Sequence, residues 1–180
     1  IHWPNADRLE APEWAVKQVA AEIPDGAISI TLREAGYGAL RNSSKHEWLK
    51  AAHDLRKLGY PVVFVRDTES PTSPLLDFQA CDLASTDILI RAALYERCAV
   101  NLFVPNGPAT LAWLGHRMKA ITFAMINDHQ DAMTRDAWRR RGCVVGSQFH
   151  GVENRTRFVW EPDTADVIVR ETLDFLGRQP

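Results

Sequence analysis

Two kinds of segment alternate along the chain. Nearly continuous apolar runs predict buried strands at 27–32, 61–66, 99–104, 119–126 and, more briefly, 143–145. Between these runs, apolar residues recur at the spacing of a helix face. This spacing predicts helices over 12–22, from Ser44 to Gly59, and over 85–97, 108–115, 131–141 and 164–176.

Strands that alternate with helices of this length predict the α/β class, with a Rossmann-like parallel sheet and helices on both faces. We expect about five strands, with the first and third adjacent at the point where the strand order reverses.

Two local patterns predict details of the helices. Val16, Val19, Ala20 and Ile23 predict the buried face of the first helix, and Ser44 with Glu47 predicts a capping box at the second.

The length of 180 residues allows one well-buried domain. We expect residues 1–26 to form a leading segment with a helix, and residues 27–180 to form the Rossmann-like domain. Because the chain begins at Ile1 rather than Met, we also expect an upstream part to exist.

The amino-acid composition limits the classes of partner that the chain is expected to bind. A formal charge of -2 and a pI of about 6.3 provide no general attraction to polyanions, so we expect no nucleic-acid partner. The cysteines, Cys81, Cys98 and Cys143, are odd in number and widely spaced, which is typical of a reducing, cytoplasmic compartment. No apolar stretch reaches the roughly 18 residues of a membrane span.

The turn Asn106-Gly107-Pro108 follows the third long apolar run and opens a helix. Glycine allows close backbone approach, proline suits a first helical turn, and the helix dipole favours an anion there. The turn is therefore a candidate phosphate cradle. A purely structural strand-to-helix turn would have the same sequence features.

A second candidate is the loop "LREAGYGALRNSSK", residues 32–45, which follows the first strand. Arg33, Arg41 and Lys45 can converge on one anion in front of the next helix. The alternative is a solvated charged loop in which Asn42, Ser43 and Ser44 act only as caps.

Two longer stretches, within residues 27–126, are "SSKHEWLKAAHDLRKLGYPVVFVRDTE" and "LIRAALYERCAVNLFVPNGPATLAWLG". They resemble heptosyltransferase-like glycosyltransferases of family 9, and "FVWEPDTADVIVRETLDFL" resembles the family's carboxyl terminus. The resemblance implies the carboxyl-terminal, nucleotide-sugar-binding half of the GT-B fold. The catalytic residue is then unassigned, because the family's catalytic carboxylate belongs to the amino-terminal domain.

The resemblance also implies a role for each matching residue. Arg33, Arg41 and Lys45 would approach the donor diphosphate, and the turn formed by Asn106, Gly107 and Pro108 would offer backbone N–H groups to it. No cofactor is implied, because the nucleotide sugar is a donor substrate. No metal is required when Arg, Lys and a helix N-terminus stabilise the departing diphosphate. Two departures stand out: Pro105 replaces the family's Asp, and Ala109 or Thr110 replaces a frequent His.

The same resemblance implies a nucleotide-sugar donor and a carbohydrate or lipid-linked acceptor, at the inner face of the membrane. "RDAWRRRG", residues 135–142, is either a basic helix end that complements the dipole or a patch for anionic lipid. Two functions remain open: a glycosyltransferase or its donor-binding half, and a non-catalytic α/β binding or interaction domain with the same fold.

Overall fold

A parallel sheet forms the centre of the molecule in a computed structural model, which describes residues 9–69, 72, 75–149 and 154–177. Within these residues the sheet has six strands, in the order β3-β2-β1-β4-β5-β6. The strands are β1 (Ile28–Thr31), β2 (Val62–Val65), β3 (Gln79–Ala80), β4 (Val100–Phe103), β5 (Ala120–Thr122) and β6 (Thr156–Phe158).

The central strands are buried on both faces, as their nearly continuous apolar sequences predict. Ile28 of β1 is in register with Val62 on one side and Val100 on the other, and Thr31 is in register with Val65 and Phe103. These three strands therefore end level with one another. The predicted adjacency of the first and third strands is confirmed, because β1 pairs directly with β4.

Helices cover both faces of the sheet. They are α1 (Glu13–Glu22), α2 (Lys45–Lys57), α3 (Asp82–Thr86), α4 (Ile88–Arg97), α5 (Gly107–Leu114), α6 (Arg135–Arg140) and α7 (Ala165–Phe175). The helices α2 and α7 pack on one face, whereas α1, α3, α4 and α5 pack on the other. The predicted class, α/β with a Rossmann-like parallel sheet, is confirmed. None of the helices in the described ranges has the length and apolar composition needed to cross a bilayer.

A third, smaller core lies beyond β5. Met125, Met133, Trp138 and Phe149 pack there against Phe158 of β6. This cluster holds the long segment between β5 and β6 against the sheet, and part of that segment reaches the end of the sheet where the central strands finish.

Several predicted elements have different bounds. The run at 143–145 is a turn between two glycines of positive φ, Gly142 and Gly146, and the strand that pairs with β5 is β6 instead. The predicted helix at 85–97 is interrupted at Asp87, whose side chain caps α4. The one predicted at 131–141 consists of a 3-10 turn, Asp131–Met133, followed by α6.

The buried face of α1 also differs from the prediction. Ala15, Val19 and Ile23 are buried, whereas Val16 is 40% exposed. The buried residues recur every four positions, as on one face of a helix. The face of α1 that packs near α4 therefore begins at Ala15, one residue before Val16. The predicted domain boundary at residue 26 stays a prediction.

Candidate functional site

A cavity of about 520 Å³ opens at the edge of the sheet where β1, β2 and β4 end. Its wall combines the loop after β1, the segment after β2 and the start of α5. Because β1 has β2 on one side and β4 on the other, the connections from these strands leave in opposite directions. Such a switch point forms the crevice where open parallel sheets bind ligands. The structure therefore brings the two candidate segments together.

Arg33 organises the loop after β1. Its guanidinium donates to the carbonyl oxygens of Tyr37 at 2.9 Å and Gly38 at 3.0 Å, and also to the side chain of Asn42. The side chain is buried. Burial, with the nearby positive charge of Arg41, lowers the pKa of Arg33. Arg33 lines the cavity, but the loop already takes three of its five hydrogen-bond donors. Its contact with a diphosphate stays a prediction.

Arg41 lies in a 3-10 turn, Ala39–Arg41, at the end of the same loop. A Cβ atom on Gly38 would lie 3.5 Å from both Arg33 Nη2 and Arg41 Nε, so the two guanidinium groups flank this left-handed glycine. Within the described part of the chain, the buried Arg41 Nε has no hydrogen-bond partner. Arg41 therefore brings a positive charge to the cavity wall.

Lys45 does not line the cavity. Its Nζ lies 3.9 Å from Glu34 Oε1, and the Glu34 carboxylate also binds Arg66 Nε at 2.6 Å and Nη2 at 2.8 Å. Glu34 is thus shared between Lys45 and Arg66, with the closer contact to Arg66. The predicted contact of Lys45 with a diphosphate stays a prediction, and the ion pair with Glu34 competes with it.

The start of α5 forms the opposite wall. Asn106 caps the helix, because its Oδ1 accepts the Ala109 N–H at 2.9 Å. Pro108 carries no N–H, so it contributes shape rather than a hydrogen bond. A Cβ added to Gly107 would meet no atom within 4 Å. The space beside the Gly107 backbone is therefore open, as close approach by a ligand requires.

The segment after β2 adds carboxylates that the sequence analysis did not single out. Asp67 Oδ2 accepts the Glu34 N–H at 2.9 Å, and Glu69 Oε2 accepts the Gly36 N–H at 3.0 Å. Both acidic residues line the cavity and hold the loop after β1 against the end of β2. The sequence signal for them was the acidic end of the strand, "RDTE".

Three further cavity residues were also missed. Arg66 is paired with Glu34, whereas Arg91 donates to the carbonyl oxygens of Ala84 and Ser85. Met133 joins the wall from the segment after β5, which lies far along the chain. Their partners are distant in sequence or are backbone groups, so no local pattern marked them.

Trp113 forms part of the apolar end of the cavity. Its Nε1 donates to Thr122 Oγ1 at 3.1 Å, and its ring packs edge-on against Phe158 at a centroid distance of 5.1 Å. The interpretation of Trp48, Trp113 and Trp138 as packing residues is confirmed, since each belongs to, or packs against, a core cluster.

Two carboxylates join the starts of α2 and α7. Asp163 Oδ2 accepts the Ser44 N–H at 3.1 Å and the Trp48 Nε1–H at 2.6 Å, while Glu47 Oε2 accepts the Ala165 N–H at 2.7 Å. We call this pair, Glu47 and Asp163, the clasp. The predicted capping box is wrong: because α2 and α7 pack together, each carboxylate caps the other helix.

The surface of α6 carries mixed charge. Arg135, Arg139 and Arg140 share a depression with Asp128, Asp131 and Asp136. Arg139 Nη1 lies 3.0 Å from Asp136 Oδ1. Acidic residues thus interrupt the basic segment, and its contact with a membrane stays a prediction.

Within the described ranges, no group of three or more His, Cys, Asp or Glu side chains is arranged to hold a metal ion. All three cysteines are buried and free.

The fold is similar to that of two solved glycosyltransferase structures. A glycosyl transferase family 9 protein from Veillonella parvula DSM 2008 is 10% identical, with a TM-score of 0.60. The match covers 94% of this chain and 53% of that protein. The E. coli ADP-heptose LPS heptosyltransferase II is 12% identical, with a TM-score of 0.57, over 97% of this chain and 54% of the enzyme.

The chain spans about half the length of these two structures. No family model matches the sequence, and no curated protein does so either. The resemblance to the family 9 glycosyltransferases is confirmed at the level of the fold.

Proposed function

We propose that this chain is the donor-binding half of a GT-B glycosyltransferase and holds the diphosphate of a nucleotide sugar. The observation that carries the proposal is the position of Arg41, which lines the same cavity as the open start of α5. A guanidinium group and the positive end of a helix dipole both favour a phosphate. The similarity of the fold to glycosyltransferases supports this choice of reaction.

In the proposed reaction, an acceptor hydroxyl oxygen attacks the anomeric carbon, and the bond from that carbon to the diphosphate oxygen breaks. A carboxylate outside this half takes the hydroxyl proton. Negative charge grows on the departing diphosphate, and Arg41 with the Gly107 N–H stabilises it. Trp113 and Met133 provide the apolar end of the cavity for the nucleobase.

The acceptor that we propose is a carbohydrate or a lipid-linked glycan, which supplies the hydroxyl group. We place the reaction in the cytoplasm, at the inner face of the membrane. The three free, buried cysteines support a reducing compartment for this half.

A second function, a non-catalytic α/β binding or interaction domain, is favoured by one feature of the cavity. Arg33, Arg66 and Arg91 all make internal hydrogen bonds, and Asp67 and Glu69 add negative charge to the wall. Such a wall has few free donors for an anion. The two functions differ in whether a nucleoside diphosphate binds at all.

Isothermal titration with a panel of nucleoside diphosphates, and matched monophosphates as controls, tests the proposal. We expect micromolar affinity that requires the second phosphate. Arg41→Ala and Gly107→Val should each weaken binding at least about tenfold, or roughly 1.4 kcal/mol, by removing a charged donor or by blocking backbone approach.

The matched control is Arg139→Ala, which removes an exposed arginine outside the cavity. It should leave affinity unchanged. Equal affinity in the wild type and both cavity variants would contradict the proposal. Absence of diphosphate binding would favour the second function.

A further inference from the structure

We propose that Asp163 is a positioning residue for the anion site and acts through Arg41. In this role Asp163 fixes the start of α2, and so fixes the loop 32–44 in the shape that places Arg41 in the cavity wall. The inference rests on the proposed function, because it concerns the affinity of the same site.

The first observation is the place where Asp163 binds. Its Oδ2 accepts hydrogen bonds from the Ser44 backbone and from the indole of Trp48, residues that are 119 and 115 positions away. Trp48 is fully buried in the core beneath α2, so the indole holds the carboxylate in a fixed place. Asp163 in turn fixes Ser44, where the loop ends and α2 begins.

The second observation is the closure of the loop. The Ser43 N–H donates to the Arg33 carbonyl oxygen at 3.0 Å, and the Arg33 N–H donates to Ser43 Oγ at 2.9 Å. Inside this closed loop, the Arg41 N–H donates to the Gly38 carbonyl oxygen at 3.0 Å. A change in the position of Ser44 is therefore transmitted directly to the turn that carries Arg41.

The third observation is that Asp163 and Arg41 line one small cavity of about 50 Å³, which lies beside the anion cavity. Arg41 and Pro105 belong to the walls of both cavities. A carboxylate in a cavity that adjoins an anion site repels the anion. Charge alone would therefore make Asp163 unfavourable for binding, whereas positioning would make it favourable.

Charge repulsion and positioning have opposite effects on affinity, so substitutions of Asp163 distinguish them. We expect Asp163→Ala to weaken nucleoside diphosphate affinity about fivefold, because Ser44 and Trp48 lose their shared acceptor. Asp163→Asn should bind as well as the wild type or better, since an amide oxygen can accept both hydrogen bonds without the negative charge. If Asp163→Ala does not fold, Asp163→Ser replaces it, because its shorter side chain cannot serve both donors.

Asp166→Ala is the matched control. Its carboxylate also joins α7 to α2, through Lys50 Nζ at 3.5 Å, but its side chain is 90% exposed and is not a partner of Ser44 or Trp48. We expect unchanged affinity. In the Arg41→Ala background, Asp163→Ala should cause little further loss, because the effect passes through Arg41.

Amide hydrogen exchange on the wild type and the Asp163 variants gives a readout without ligand. Asp163→Ala should speed exchange at Arg41, Asn42 and Ser43, and Asp163→Asn should not. Unchanged exchange, tighter diphosphate binding by Asp163→Ala, or full additivity with Arg41→Ala would each overturn the inference. A wild-type chain that binds no diphosphate contradicts the proposed function itself, and exchange then decides whether Asp163 holds the loop.

Discussion

Glu34 shows how a single side chain determines which cations remain available near the cavity. Its carboxylate forms two hydrogen bonds with Arg66, which is only 3% exposed, and also lies near Lys45. A buried guanidinium without its carboxylate is costly, because little water can replace the lost partner. Arg41, by contrast, lines the cavity and has a buried Nε with no hydrogen-bond partner among the described residues.

Glu34→Gln should therefore destabilise the fold by about 3 kcal/mol, mainly because the buried Arg66 loses the charged carboxylate that accepts two of its hydrogen bonds. Urea unfolding followed by tryptophan fluorescence measures this loss. Glu13→Gln is the control, because the ion pair of Glu13 with Lys17 is exposed and should contribute at most about 0.5 kcal/mol. A loss of less than about 1 kcal/mol for Glu34→Gln would show that Arg66 finds other partners.

Among the elements, α5 combines a structural cap with a binding surface. Asn106 Oδ1 takes the Ala109 N–H, so part of the positive helix end is satisfied internally. The open Gly107 backbone remains beside it. Stability and anion binding therefore depend on neighbouring groups at one helix start, and suitable substitutions can separate them.

Asn106→Ala should lower the free energy of unfolding by about 1 kcal/mol, because the cap is lost. Asn106→Asp should keep the cap but reduce diphosphate affinity about tenfold, since its negative charge lies beside the bound anion. Thermal unfolding and isothermal titration on the same samples separate the two effects. Equal affinity in Asn106→Asp and the wild type would exclude an anion at this helix start.

The sequence predicted the elements in which each apolar run is long and buried on both faces. It missed β3 and β6 because these strands have only two and three residues and include Gln79 and Arg157, so no apolar run marks them. The run at 143–145 was misleading because its Cys143 packs in the third core from a turn. A buried turn and a buried strand can have the same short apolar run in the sequence.

The site was predictable only as far as the segments that meet there. Parallel strands bring the loop 32–45 and the turn at Asn106 to one edge of the sheet, which follows from topology. Topology does not predict which side chains keep free hydrogen-bond donors. Glu34 accepts hydrogen bonds from Arg66, 32 positions away, and Asp163 accepts one from Ser44, 119 positions away. Such long-range pairs leave no periodicity in the sequence.

For the whole molecule, buried thiol and phenol groups limit stability in alkali. Burial raises the pKa of Cys98 from an ordinary value of 9.0 to about 12 and also raises the pKa of Cys81. Burial raises the pKa of Tyr95 as well, and its hydroxyl is hydrogen-bonded to Thr31. All three groups are thus held neutral by folding.

A raised pKa contributes stability that is complete below the unfolded value and is lost as pH rises towards the folded value. For Cys98 we expect the free energy of unfolding to fall between about pH 9 and pH 12, by up to about 1.4 kcal/mol per pH unit. Cys81 and Tyr95 change the stability in the same direction. Urea unfolding at a series of pH values measures the slope. Cys98→Ala should make it shallower, and an unchanged slope would assign the alkaline loss to other groups.

The clasp also has a consequence for synthesis on the ribosome. The start of α2 obtains its Asp163 acceptor only after 119 further residues have been added to Ser44. At roughly 5–20 residues per second, this takes about 6–24 s, during which Trp48 has no such partner for its indole N–H. The loop that carries Arg41 thus obtains this contact only long after it has itself been made.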